Sequence, residues 1–211
     1  MKRLPALALI LAGLLGLLGL VPGPASAQTI AISGVVAPGV YSQQLYVPFA
    51  SVFEIAVWID PASIGSRGWE FGYTDLTQVS PGVLQVGVVT IIPVIILPPP
   101  CENGQCVFGS SVCFDGVSQL EIVRFQYIDV SGVSASDVVL TVGPAQPSSF
   151  GDAPGFIDCN SDLVPLTVGG TVGGVTGAGV VFPEGAMVVN PTPVVVPNSG
   201  PSLGRLKARF D

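Results

Sequence analysis

The 211-residue chain contains no histidine. That removes the commonest general base and the commonest metal ligand, and with them the Ser-His-Asp arrangement. Lysine is nearly as scarce, occurring only at Lys2 and Lys207, close to the two ends. Without a lysine in the body, Schiff-base chemistry and a P-loop are excluded. Beyond the first 27 residues there are five basic residues against 14 acidic ones, a net charge of −9. Three of those bases (Arg205, Lys207, Arg209) crowd the last seven positions, so the body carries only Arg67 and Arg124. Such a body repels phosphate backbones, and a nucleic-acid partner is not expected. Helical periodicity is also missing, apart from the first residues and the tail.

The N-terminal stretch is Met1-Lys2-Arg3, then an almost wholly apolar run from Leu4 to Leu20, then Ala25-Ser26-Ala27. A short positive region, an apolar region and a small-x-small site form a secretory signal peptide, with cleavage expected after Ala27. A retained membrane anchor is the rival reading. It is disfavoured because the run is short for a span and a cleavage site follows it. The expected divisions are a signal peptide at 1–27, a β-sandwich domain at 28–189, and a proline-rich linker with a short basic tail at 190–211. After cleavage no membrane span is expected.

The sequence organises itself around Gly68-Trp69-Glu70-Phe71-Gly72-Tyr73. A strand sends alternate side chains to opposite faces, so Trp69, Phe71 and Tyr73 land together on one core-forming face. Residues 51–60 alternate in the same way, with Phe53, Ile55, Val57 and Ile59 on one side and Val52, Glu54, Ala56 and Trp58 on the other. The short polar connection between these two strands suits an antiparallel pair. Residues 83–97 are apolar and β-branched, broken by Gly87 and Pro93, and read as one or two strands. Pro98-Pro99-Pro100 is a stiff extended stop. Residues 120–130 form a long strand with Val123, Phe125 and Tyr127 on one face, and residues 137–142 another. Leu45-Tyr46-Val47 before Pro48 reads as an edge strand. Residues 169–189 are Gly, Val and Thr with almost no charge, and read as a strand pair capping an edge or as an assembly segment. Short strands with turn signals at regular intervals indicate an antiparallel β-sandwich.

Four cysteines in an exported chain favour disulfides. Of the three pairings, Cys101–Cys106 and Cys113–Cys159 are favoured. A four-cysteine zinc site is the weaker rival, since no Cys-x-x-Cys pair is present.

The run Gly68-Trp69-Glu70-Phe71, then Tyr73-Thr74-Asp75, then Val83-Leu84-Gln85-Val86 resembles the cohesin pattern. Leu120-Glu121-Ile122-Val123-Arg124-Phe125-Gln126-Tyr127 and Asp137-Val138-Val139-Leu140 resemble later strands of that family. The likeness spans roughly residues 51–168. It departs from the pattern where Thr74-Asp75-Leu76 lacks a proline and where the cysteine region is inserted. The resemblance implies a jelly-roll sandwich of cohesin type and a non-catalytic role, binding either a protein partner or a polysaccharide. The tail, Leu203-Gly204-Arg205-Leu206-Lys207, resembles a short C-terminal signature of secreted bacterial proteins.

Two residue sets are candidates for sites. Trp58 lies opposite the core face, and an exposed indole stacks on a pyranose ring. Tyr41 and Tyr46 would extend such a carbohydrate platform. Burial of Trp58 under a neighbouring segment is the favoured alternative. Asp152, Asp158, Asn160 and Asp162 form the densest oxygen cluster, and a structural calcium is one reading of it. Turn chemistry and solvated charge are the favoured reading, and no other cofactor is expected. Glycoside hydrolysis needs two carboxylates, and Glu54 with Glu70 on adjacent strands would be such a pair. No nucleophile, base and orienter converge, so an enzyme is not expected. The first expectation is therefore a secreted or cell-surface, non-catalytic module for protein–protein interaction or surface structure. A polysaccharide-binding module is the alternative, and the sequence leaves the oligomeric state open.

Overall fold

The computed structural model describes residues 28–62, 64–90, 95–115, 119–130, 137–169 and 185–192. The signal-peptide region, the tail and most of residues 169–189 and of the linker lie outside the described residues. In chain order the elements are β1 (Thr29–Ala37), β2 (Val40–Ser42), β3 (Gln44–Leu45), β4 (Val52–Asp60), β5 (Ser66–Tyr73), α1 (Leu76–Val79), β6 (Val83–Thr90) and β7 (Ile95–Glu102). They continue with β8 (Gln105–Phe114), β9 (Leu120–Asp129), β10 (Val138–Leu140), β11 (Val142–Gly143), β12 (Gly155–Ile157), β13 (Leu163–Pro165), β14 (Thr167–Val168) and β15 (Met187–Val189).

The strands make two large sheets and a small one. The first runs β14-β1-β4-β9-β6, with β2 alongside β1. The second runs β13-β12-β5-β8-β7, with β11 alongside β5. The third is β10-β15-β3. All described pairings are antiparallel except β1 with β14 and β3 with β15. The two large sheets face each other across one core, as an antiparallel β-sandwich does. Phe53, Ile55, Val57 and Ile59 from β4 meet Trp69, Phe71 and Tyr73 from β5, and all are buried. Tyr73 stacks on Phe125 of the opposite sheet with ring centroids 4.3 Å apart. The alternation read from the sequence thus assigns these faces correctly.

Three expectations change. First, β4 and β5 do not pair with each other. β4 pairs with β1 and β9, whereas β5 pairs with β8, β11 and β12. The loop between them carries the chain from one sheet to the other, so Glu54 and Glu70 are not on adjacent strands. Second, the triproline does not end its strand. β7 runs through it to Glu102, with a register shift between Ile96 and Cys101. Proline is tolerated there because β7 is the outermost strand of its sheet. Third, there is one helical turn, α1. The Asp75 carboxylate caps it by accepting from the Thr77 amide at 3.0 Å and the Thr77 hydroxyl at 2.9 Å.

The disulfides pair as favoured, Cys101 with Cys106 and Cys113 with Cys159. Cys101 and Cys106 stand directly opposite in the β7–β8 hairpin. Its two-residue turn is Asn103-Gly104, with φ of 51° and 77°. Both residues are left-handed, which suits a hairpin turn of the primed kind.

Candidate functional site

The outer faces of the two large sheets carry different chemistry. On the first sheet, register places Ala31, Trp58 and Glu121 near one another, then Ser33, Ala56 and Arg124, then Val35, Glu54 and Gln126. The small side chains Ala31, Ser33 and Ala56 leave room over the sheet. Tyr41, on β2, fills it and is buried there. Its ring meets Trp58 edge-on with centroids 4.6 Å apart. Its hydroxyl donates to Glu121 Oε2 at 2.8 Å. Arg124 then grips Glu121 with two bonds, Nε to Oε1 at 2.7 Å and Nη2 to Oε2 at 3.0 Å, and reaches Glu54 Oε2 with Nη1 at 2.9 Å. Gln126 donates to the other oxygen of Glu54 at 2.8 Å. The hydrogen bond to Glu121 is the main cause that holds the Arg124 guanidinium above its ordinary pKa. Burial, reinforced by Glu121, raises that of Tyr41. Each charged side chain of this network has a partner within the chain.

This arrangement decides where the aromatic candidates stand. Trp58 is half-buried, and its Nε1 donates to Ser33 Oγ at 3.1 Å. Tyr41 is buried against it, while Tyr46 is 60% exposed on the far side of β3 in sequence. The structure brings Trp58 and Tyr41 together at right angles, not as a flat row of exposed rings, and does not bring Tyr46 to them.

The oxygen cluster is also used locally. Asp158 is buried, and its Oδ1 accepts from the amides of Asn160 and Asp162, each at 2.8 Å. Asp152 and Asp162 are exposed. Among the described residues, no three Asp, Glu, Cys or His side chains converge as metal ligands would. Asp158 thus acts as a turn-forming aspartate.

The second sheet's outer face is open. Gly68, Glu70, Val107, Ile157 and Leu163 surround a hollow of about 100 Å³, closed on one side by Ser149 and Phe150. Gly68 has no side chain, so the floor is backbone. Its two neighbours in register are Gly109 and Ile157. Phe150 lies over Gly155, where a Cβ would collide with its ring. Glu70 Oε1 accepts from the Ser149 amide at 2.6 Å, which fixes one end of the hollow. Val107 and Leu163 on the rim are 41% and 57% exposed. A hollow of this size has room for a single aliphatic side chain and is too small for a drug-sized ligand. Of these residues, sequence reasoning had named Gly68 and Glu70, in the organising strand and in a carboxylate pair, but not as parts of a hollow, and it had not named Val107, Ser149, Phe150, Ile157 or Leu163 as site residues. The one available signal was glycine inside a strand, at Gly68 and Gly155, which marks close approach or missing bulk.

A further dish of about 280 Å³ opens at the β7–β8 hairpin tip, lined by Gly72, Thr74, Asn103, Gln105 and Thr141 among others. It carries no charged side chain. No helix among the described residues is long and apolar enough to cross a membrane.

No family model matches the chain, and no curated protein matches it. Solved structures do. A cohesin module from the family 33 glycoside hydrolase of Clostridium perfringens is 10% identical, with a TM-score of 0.42 over 79% of this chain and 98% of that one. The sixth cohesin of Acetivibrio cellulolyticus scaffoldin B, solved in complex with a dockerin, is 13% identical, with a TM-score of 0.45 over 79% of this chain and 100% of the other. A type I cohesin from Pseudobacteroides cellulosolvens is 10% identical, with a TM-score of 0.41 over 80% of this chain and 96% of that one.

Proposed function

We propose that this chain is a secreted, non-catalytic β-sandwich module that binds a protein partner through the outer face of the β12–β5–β8 strands. The hollow over Gly68 carries the reading. It is preformed and apolar, and rimmed by exposed Val107 and Leu163, the makings of a socket for a partner's aliphatic anchor. Glu70 at its end favours a partner whose anchor is followed by an amide or a basic group. The acid pair that hydrolysis would need is divided between two sheets. Glu54 is bound to Arg124 and Gln126, and Glu70 to Ser149. The cohesin resemblance in the sequence agrees with a binding role, and the two disulfides fit an oxidising, extracellular compartment.

The test uses the oxidised mature chain as bait for proteins of its own secretome, with Leu163→Asp beside it. A protein held by the wild type and lost with Leu163→Asp supports the reading. No difference between the two baits sinks it. A parallel arm offers insoluble polysaccharides to the wild type and to Trp58→Ala. Polymer binding that Trp58→Ala abolishes would replace the protein-partner reading with a carbohydrate one.

A further inference from the structure

The hollow over Gly68 has two walls with unequal backing. One is β8, which contributes Val107 and pairs with β5 on one side and β7 on the other. The other is the β12–β13 hairpin, which contributes Ile157 and Leu163. Each of its strands is three residues long. β12 meets β5 at Gly155 with Glu70, Phe156 with Trp69 and Ile157 with Gly68, and β13 is the last strand of its sheet. Phe156 is buried in the core and pins the nearer strand, while Leu163 on the farther one is 57% exposed. A short ladder at a sheet margin opens locally more readily than the central strands do.

The turn of this hairpin is held in two ways. Within itself, Asp158 gathers the amides of Asn160 and Asp162, and its own amide donates to the Asp162 carbonyl at 3.0 Å. Across to the rest of the sheet, Arg67 of β5 donates to the Ser161 hydroxyl, and Cys159 is bonded to Cys113 of β8. β5 lies between β8 and β12, so the bridge crosses the start of β5 and joins one wall of the hollow to the other. Gly65 gives it passage, since a Cβ there would sit 2.6 Å from Cys159 Sγ. The φ of Gly65, 70°, is left-handed as well, so glycine suits the position on both counts.

The two disulfides differ in reach and in access. Cys101–Cys106 closes a separation of five residues within one hairpin, and both cysteines are buried. Cys113–Cys159 closes a separation of 46 residues, and both cysteines are half-buried. Thiol–disulfide exchange depends on access to the sulfur, so the second bridge is the more readily made and broken in the folded chain.

We infer that Cys113–Cys159 is a clasp that completes the hollow, so that oxidation assembles the binding face. The inference rests on the binding role proposed for that hollow. One cysteine thiolate attacks a disulfide donor, and the other displaces the donor from the mixed disulfide. The Sγ–Sγ bond forms as the donor's S–S bond breaks, and the two electrons and two protons leave with the donor as a pair of thiols. Without the bridge the turn keeps its internal bonds but loses its covalent hold on β8, and Ile157 and Leu163 are free to move away from Val107. An exported chain thus gains its finished socket in an oxidising compartment.

Amide hydrogen exchange on the mature chain, residues 28–211, reads the clasp without any partner. Amides 157–163 are expected to exchange at least ~10-fold faster in Cys113→Ser/Cys159→Ser than in the oxidised wild type, with β4 and β9 still protected. Cys101→Ala/Cys106→Ala should leave amides 157–163 unchanged. Equal rates at 157–163 in the wild type and in Cys113→Ser/Cys159→Ser overturn the inference. Stepwise reduction of the folded wild type with a small dithiol, followed by alkylation, makes the same test without a variant that must fold. Cys113 and Cys159 should be labelled first, and amides 157–163 should loosen at that step. Earlier labelling of Cys101 and Cys106 overturns the inference, as does loss of protection in β4 and β9 at the first step, which would make the bridge a staple of the whole fold. A partner captured through the hollow should be held at least ~10-fold more weakly by Cys113→Ser/Cys159→Ser, because the socket is no longer preorganised. A partner lost with Leu163→Asp but held equally by Cys113→Ser/Cys159→Ser overturns the clasp and leaves the hollow as the binding face. Capture that ignores Leu163→Asp removes the hollow from the interface, and the exchange rates then still decide whether the bridge holds its wall.

Discussion

The two outer faces of this sandwich started from the same geometry and ended differently. On the first sheet, small residues under Tyr41 let the chain cover itself, and Glu121, Arg124, Glu54 and Gln126 consume one another's hydrogen bonds. On the second sheet, Gly68 leaves a hollow that the chain's own side chains rim but do not fill. Small residues therefore have opposite consequences depending on what lies within reach. Beneath a bulky neighbour they make a secondary core, and without one they make a socket. The proposed binding face is the one where the chain has left its own surface unfinished.

Substitutions can break or sharpen this contrast. The largest effect is expected in the core that both faces share. Phe125→Ala should cost about 3–5 kcal/mol, because a fully buried ring is lost beneath Tyr73. Denaturant melts would show it, and a cost near zero would mean that the sheets do not depend on one packing layer. Next is the closed face. Arg124→Met strands the buried Glu121 carboxylate and should cost about 2–4 kcal/mol, at or below the range for a broken buried pair since Arg124 keeps some contact with water. Adding Glu121→Gln to that variant should recover part of the loss.

Alkaline pH should weaken the closed face and the core together. Burial raises the hydroxyl pKa of Tyr41, Tyr73 and Tyr127. A raised pKa contributes stability that is complete below the unfolded tyrosine value, about 10, and is lost as pH climbs toward the folded values. Stability should therefore fall above about pH 10, and less steeply for Tyr41→Phe.

The open face should behave in the opposite way. In Gly68→Ala a new Cβ would sit 3.4 Å from the Phe108 carbonyl oxygen and 3.5 Å from Ile157 Cδ1, which is ordinary contact. Stability should stay level or rise by up to ~1 kcal/mol, while partner binding weakens as the floor rises. A variant that binds as well as the wild type would remove the hollow from the interface. The smallest effect belongs to Asp137, whose carboxylate holds the amide and hydroxyl of Thr192 at 2.7 and 2.6 Å. Asp137→Asn should leave the melt unchanged and speed hydrogen exchange at the Thr192 amide alone.

Strand faces were legible in the sequence because alternation is local. Trp69, Phe71 and Tyr73 had to share a side, and so did Val123, Phe125 and Tyr127. Partners were less so. The same alternation in β4 and β5 is satisfied whether they lie side by side or across the core, and nothing local separates the two. Cys101–Cys106 could be inferred because its loop is short and its turn is Asn-Gly. The burial of Tyr41 could not, because it depends on the register of a three-residue strand against β1. The hollow was hidden for a similar reason. Four separate strands and a loop contribute its walls, and its floor is an absence, which hydropathy does not record.

The third sheet has a mechanical consequence. β15 lies between β10 and β3, antiparallel to one and parallel to the other, with Met187, Val188 and Val189 all buried. Just beyond it, the Asn190 amide donates to Leu45, its side chain accepts from Val47, and its carbonyl accepts from Asp137. Tension applied at Thr192 along the strand loads both ladders in shear, so their bonds must fail together and not one by one. The chain's last described strand is thereby fastened to the body on both sides, as a spliced rope is.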